Sequence, residues 1–195
     1  MVEPHYENQL FWQEKGLEYL RYEYNLKPND IILDLGAYDG MFAETMHNKF
    51  GCHVICVEPT GSIMRLHGKP AYTIINKAAS VQEETKRFGG AYYYTSEFTD
   101  YNQFGYADYP CIDINEIILR YPKFGLLKMN IEGAEYQIME HIMPNIARFD
   151  HLQIQFHIVD ETSEQKWEAI ARKLKLTHDP MWCTKFVWES WKRRI

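Results

Sequence analysis

The chain has 195 residues, 46% of them hydrophobic and 25% charged, with 21 Lys and Arg against 27 Asp and Glu for a net charge of −6. That length suits one domain, and the composition excludes disordered and collagen-like chains. No apolar run approaches the roughly 20 residues of a bilayer span, the polar start with Glu3 and Glu7 is unlike a secretory signal, and the acidic balance argues against a nucleic-acid partner; a cytoplasmic protein without a membrane partner is expected.

The expected elements begin with a helix over residues 7–24, where Leu10, Phe11, Leu17, Leu20 and Tyr24 fall near helical spacing. Residues 31–35 are a short apolar run ending at a glycine loop, the pattern of a buried parallel strand. A helix over 41–50, a strand over 52–57, a helix over 61–68 and a strand over 72–75 continue the alternation. Residues 80–110 break it: Gly89 and Gly90 separate two β-prone stretches, so a hairpin and loop are expected there. Then come a helix over 113–121, a strand over 124–132, a helix over 134–148, a strand over 152–159 and a helix over 163–175. Two strands fit residues 176–191, and Lys192, Arg193 and Arg194 read as a solvated basic tail. Strands alternating with helices imply an α/β fold, a mostly parallel sheet with helices on both faces, whose ligands bind beyond the carboxyl ends of the strands. The whole chain, 1–195, reads as one such domain, with residues 1–29 as a helical cap and 80–110 as an insertion.

Cys52, Cys56, Cys111 and Cys183 are the cysteines. The first two lie in one expected strand, about 13 Å apart at roughly 3.3 Å per residue, beyond the roughly 7 Å a disulfide tolerates. No C-x-x-C occurs, so reduced packing thiols and no metal site are expected.

The first glycine loop runs Asp34-Leu35-Gly36-Ala37-Tyr38-Asp39-Gly40. Gly36 suits a tight turn and close backbone approach. Gly40 stands where the next helix begins, an end that favours a carboxylate. Glu58-Pro59 follows the second strand, and Glu58 suits two ribose hydroxyls. Either a dinucleotide or S-adenosylmethionine fits this pairing. Tyr38 at the position where the dinucleotide fingerprint needs its second glycine favours S-adenosylmethionine, whose positive groups suit Asp34.

In the strand over 124–132, Lys128, Asn130 and Glu132 share one side and Leu127, Met129 and Ile131 the other. The strand over 152–159 repeats this, with Gln153, Gln155 and His157 opposite Leu152, Ile154, Phe156 and Ile158. If these strands are neighbours, six polar side chains form one patch with Glu132 and His157 near the ligand end. Left unpartnered, each would cost about 1–3 kcal/mol. The alternative is that both strands turn this face to solvent or to a polar helix flank. Glu135, three residues past Glu132, is equally consistent with a helix first turn.

These residues carry a resemblance. The chain resembles the FkbM-like methyltransferases, a branch of the class I S-adenosylmethionine-dependent enzymes, over roughly residues 30–160. The matching blocks are Asp34 to Gly40, Glu58-Pro59, Cys111 to Ile117, and Lys128-Met129-Asn130-Ile131-Glu132-Gly133-Ala134-Glu135. Tyr38 stands where the family shows Asn, and Asn130 where it shows Asp. The resemblance implies a three-layer Rossmann-like sheet of about seven strands, mostly parallel with one antiparallel strand near the C-terminus. It also implies methyl transfer from S-adenosylmethionine, commonly to a hydroxyl of a sugar or other small molecule.

On this reading Asp34, Gly36, Ala37, Tyr38 and Gly40 hold the methionine part, Glu58 and Pro59 the ribose, and Asn76, Lys77 and Ala78 border the adenine. Glu132 or His157 draws off the acceptor proton, assisted by Lys128, Asn130 and Glu135. Tyr92, Tyr93, Tyr94, Phe98 and Tyr101 either wall a small-molecule or glycan acceptor pocket or form cross-strand pairs. Three other readings compete: a nucleoside-binding module without transfer activity, a nicotinamide-dependent oxidoreductase, and a metal-assisted variant with Glu132, Glu135 and His157 as ligands.

Overall fold

The structure, a computed structural model, describes residues 4–89 and 105–194. The aromatic run from Tyr92 to Tyr101, expected either to wall the acceptor pocket or to form cross-strand pairs, lies outside the described residues.

A seven-stranded sheet organises the molecule. Its strands are β1 (Ile31–Leu35), β2 (His53–Val57), β3 (Tyr72–Ile75), β7 (Phe124–Met129), β8 (Phe149–Ile154), β9 (His178–Thr184) and β10 (Trp188–Arg193), in the order β3-β2-β1-β7-β8-β10-β9. Strands β1, β2, β3, β7 and β8 pair parallel, while β10 runs antiparallel to both β8 and β9. This is the mostly parallel Rossmann-like sheet that the resemblance implies. A smaller sheet, β4 (Ala78–Ser80), β5 (Thr85–Gly89) and β6 (Tyr106–Asp113), ordered β4-β6-β5, occupies the expected insertion. Strands β5 and β6 are the arms of the expected hairpin; β4, which pairs parallel to β6, was not foreseen.

The helices are α1 (Pro4–Glu14), α2 (Met41–Phe50), α3 (Ile114–Ile118), α4 (Glu135–Ile142) and α5 (Ser163–Leu174). On one face of the sheet, Leu33, Leu35, Leu127, Met129, Leu152 and Ile154 form a continuous core with residues of α3, α4 and α5. On the other face, Ile32, Val54, Cys56 and Leu126 pack under Phe42, Ala43 and Met46 of α2 and under Tyr24 and Leu26. Burial removes these apolar side chains from water at roughly 25 cal/mol per Å², which drives the three layers together. Among the described residues, no helix is long and apolar enough to cross a membrane.

Several expected boundaries shift. The helix expected over 7–24 is two pieces: α1 ends near Gly16, which takes φ 60°, and a 3-10 turn over Leu17–Tyr22 follows. Leu10 and Phe11 are exposed, and Trp12 is the buried anchor of α1, packed with Val187 and Trp188. The helix expected over 61–68 is a 3-10 turn, Gly61–Leu66. Helix α4 stops at Ile142, and Pro144 falls in the 3-10 turn Met143–Arg148 that succeeds it. Strands β7 and β8 end at Met129 and Ile154, earlier than expected, so Asn130, Glu132, Gln155 and His157 lie past their ends. The basic tail is also corrected. Lys192 and Arg193 belong to β10, Arg193 pairs with Asp150 at 3.0 Å, and Arg194 bonds Asp179 at 2.8 Å.

The cysteines are free. Cys52, Cys56 and Cys111 are buried, and burial pushes the Cys52 thiol up to about 11 and Cys56 further still, which leaves them packing residues with little thiolate character.

Candidate active site at the strand tips

Backbone bonds knit the carboxyl ends of the parallel strands together. Val57 O accepts from Gly36 N at 2.9 Å and from Ala37 N at 3.3 Å, Leu35 O accepts from Asn130 N at 3.0 Å, and Ile75 O accepts from Glu58 N at 3.1 Å. The first glycine loop is therefore fastened to the tips of both neighbouring strands. Gly36 has φ 74°, and a Cβ there would sit 1.8 Å from the Asn130 carbonyl oxygen. Its lack of a side chain serves this backbone crossing, where the sequence suggested close approach of a ligand. Gly40, at φ 79°, is likewise packed against Leu66 and Ile63. The start of α2 is covered from within: Asp39 Oδ1 accepts from Met41 N at 2.9 Å.

Asp34 and Lys128 are almost wholly buried and form an ion pair at 2.9 Å. Lys128 Nζ also donates to Gly36 O at 2.6 Å. The acid expected to face a ligand's positive groups thus faces a lysine of the adjacent strand, and the lysine expected beside Glu132 is spent on Asp34 and the glycine loop. Register explains this, because Asp34 and Lys128 are direct neighbours across β1 and β7.

Glu58 is 6% exposed. Its Oε2 accepts from Tyr38 N at 2.9 Å, and its Oε1 accepts from Thr60 N at 2.9 Å and Thr60 Oγ1 at 2.7 Å. It clamps the first loop to the second. Tyr38 is held at φ 48°, a left-handed conformation uncommon outside glycine. Asn76 Nδ2 donates to the carbonyls of Glu58, Pro59 and Thr60 at 2.9–3.2 Å, so it braces this turn. Lys77 pairs with Glu83 at 2.9 Å, and Ala78 is buried in β4.

The turn after β7 gathers the titratable groups. Glu135, fully buried at the start of α4, accepts from Ile131 N on Oε1 and from Gly133 N on Oε2, each at 3.0 Å. These two bonds hold the turn with Glu132 at φ 54°, a strained state that costs about 1–3 kcal/mol. His157 Nδ1 lies 2.9 Å from Glu135 Oε1, and its Nε2 lies 3.4 Å from Glu132 Oε2. Burial alone would lower the His157 pKa, but the hydrogen bond and charge of Glu135, joined by the charge of Glu132, raise it above the usual value. Both ring nitrogens of the imidazole thus face carboxylates. Burial raises the pKa of Glu132, Glu135 and Glu58 add to that, and His157 and Lys128 oppose it. The Tyr38–Glu58 bond joins the loops after β1 and β2, and the Asn130–Leu35 bond ties the start of the turn after β7 to the end of β1.

Two contributors escaped the sequence reading. Tyr136 donates its hydroxyl to His157 O at 2.7 Å and rests on the Phe156 ring at 5.2 Å, which positions the backbone that carries the imidazole. Thr60 supplies two of the three bonds on Glu58. Neither has a marker beyond adjacency to Glu135 and Pro59. Asn130 keeps a buried Oδ1 with no hydrogen-bond partner. Among the described residues, no group of three or more His, Cys, Asp or Glu side chains has the arrangement to hold a metal ion; His157 joins Glu132 and Glu135 through its ring nitrogens instead.

No curated protein matches the sequence. Solved structures share its fold at low identity. The 23S rRNA methyltransferase ErmE is 10% identical with a TM-score of 0.51, over 92% of this chain and 68% of that one. A dimethyladenosine transferase from Plasmodium falciparum is 11% identical with a TM-score of 0.51, over 92% of this chain and 61% of that one. The model of the methyltransferase FkbM domain matches residues 34–177, a span that opens at the buried aspartate of β1 and includes Glu58, Glu132, Glu135 and His157. The chain belongs to the FkbM methyltransferase domain family.

Proposed function

We propose that this protein is an S-adenosylmethionine-dependent methyltransferase that methylates a hydroxyl of a sugar or other small molecule. The observation that carries the reading is Glu132: a partly buried carboxyl with weakened acidity, 3.4 Å from His157 and within electrostatic reach of Glu58.

The residues present fit the cofactor. A carboxylate offers about four lone-pair positions; Glu58 uses three on protein donors, which leaves one on Oε2 for a ribose hydroxyl. The unpartnered Oδ1 of Asn130 suits an ammonium, since a buried acceptor without a donor costs about 1–3 kcal/mol. Gly36, Ala37, Tyr38 and Gly40 shape the wall, and Asp34 acts through Lys128 by fixing the loop. Pro59, Asn76, Lys77 and Ala78 border the adenine side.

S-adenosylmethionine supplies an electrophilic methyl carbon when bound. Glu132 accepts the acceptor's hydroxyl proton as that oxygen attacks, a contribution of about 10²–10⁴-fold. Its raised pKa makes it a better base than an ordinary carboxylate. His157, fixed by Glu135 and Tyr136, orients Glu132 and balances its charge. Asn130 does not titrate and so is assigned to binding alone.

A labelled-methyl transfer assay against a panel of sugars and small hydroxyl compounds, with calorimetry of S-adenosylmethionine and S-adenosylhomocysteine, tests this reading. Turnover with at least one acceptor is expected. Glu132→Gln should lower it by about 10²–10⁴-fold while cofactor affinity stays within a few-fold. Cofactor binding with no turnover on any acceptor would instead favour the binding module, which the neutral Asn130 also suits. Tight NAD binding without affinity for S-adenosylmethionine would favour the oxidoreductase.

A further inference from the structure

At the other end of the sheet, the amino ends of β1, β7 and β8 meet the carboxyl end of β10 around a half-open cleft of about 350 Å³. Strand β7 separates it from Asn130, roughly 20 Å at about 3.3 Å per residue. Lys27, Lys123, Lys192 and Arg193 line the cleft, against the carboxylates of Asp30 and Asp150.

Asp150 is already spent. Lys123 Nζ lies 2.5 Å from one of its oxygens and Arg193 Nη2 3.0 Å from the other. Asp30 Oδ2 accepts from Lys27 N at 2.8 Å. The exposed ammonium groups of Lys27 and Lys192 take no ion pair among the described residues. The cleft is thus a cationic spot on a chain of net charge −6. Its floor includes His151, 5% exposed and edge-on to Tyr24 at 5.3 Å, with a buried Nδ1 that has no hydrogen-bond partner. Burial and the nearby Lys192 lower the pKa of this imidazole, so it is neutral at pH 7.

We propose that this cleft is a second binding site, separate from the strand-tip site, for a small molecule carrying a phosphate group. Its volume lies at the lower end of small-ligand pockets, about 300–1,000 Å³. Lys27 and Lys192 supply the charge and the Arg193 guanidinium a planar donor edge, over a floor that includes His151.

Calorimetry and His-ring NMR on the full chain test this with inorganic phosphate, glucose 6-phosphate and glucose. Saturable binding of phosphate or the ester is expected at about 1 mM or tighter, with movement of the His151 ring resonances and no response to glucose. Tighter binding of the ester than of inorganic phosphate would identify an organic phosphate as the ligand; equal binding would identify the free ion. The double variant Lys27→Gln and Lys192→Gln, with an unchanged thermal midpoint, should weaken binding at least about tenfold. Any methyl transfer should keep its rate in that variant without phosphate, because neither lysine belongs to the strand-tip site. No binding up to about 10 mM, or undiminished binding to the double variant, would overturn the proposal.

Discussion

The two faces of the central sheet are built on opposite principles. Toward α3, α4 and α5, the strands show mainly apolar side chains, such as Leu33, Leu127 and Leu152, with the buried Glu189 of β10 bonded to the Trp167 and Trp191 indoles. Toward α2 and the N-terminal segment, the next residues along the same strands are Asp34, Lys128, His151 and Gln153, joined by Ser190 of β10, all buried. His151, Gln153 and Ser190 are covered by the chain just before β1, while Lys128 lies 5.7 Å from the Phe42 ring of α2. Tyr24 Oη lies 3.2 Å from Ser190 Oγ, Gln153 Nε2 donates to Arg21 O at 3.4 Å, and the Arg21 guanidinium sits 4.0 Å from the Trp188 ring. Polar alternation in buried strands therefore fastens a covering segment here. Only residues beyond the last ladder bonds, Asn130, Glu132 and His157, gather where the loops after the strands converge.

The sharpest way to break this contrast is Lys128→Met. It leaves Asp34 as an unpaired buried carboxylate and should cost about 3–5 kcal/mol in urea unfolding. Adding Asp34→Leu should recover most of that loss; a double variant as unstable as the single one would mean that the polar face does not work through this pair.

His157→Gln probes the residues gathered beyond the strand ends. Loss of a charge-assisted bond to Glu135 should cost roughly 1.5–3 kcal/mol at low pH. The pKa of His157 is raised in the fold. Its contribution is therefore complete below about pH 6.5, the ordinary histidine value, and is lost as pH rises through the folded value. Unfolding curves of wild type and variant should converge above that pH; a gap independent of pH would show that the imidazole contributes by packing alone. The smallest effect is expected from Tyr24→Phe, which removes only the hydroxyl facing Ser190: about 1 kcal/mol by thermal or urea unfolding. A much larger loss would mean that the covering segment depends on that single bond.

Much of the layout was legible beforehand. Apolar runs of five or six residues before glycine loops marked β1 and β7, and the blocks around Gly36, Glu58 and Glu132 lay at strand ends because such loops follow buried parallel strands. Boundaries were less legible. The alternation of Lys128, Asn130 and Glu132 reads as one strand face, yet β7 ends at Met129 and Glu132 turns to φ 54°. Period-two spacing carries no mark of where ladder pairing stops. The helix expected through Gly16 broke there for the same kind of reason, since the tertiary anchor was Trp12 and not the Leu10–Phe11 pair.

By itself, the sequence determined the order of elements, the parallel sheet and the residue types at its tips, because hydrophobic periodicity and glycine placement are local properties of the chain. Tertiary structure alone decided the partners. It turned Asp34 toward Lys128, set His157 between Glu132 and Glu135, and placed Lys192 beside His151 across antiparallel strands. Such pairings depend on strand order and register, which join residues far apart along the chain and leave no trace in their spacing.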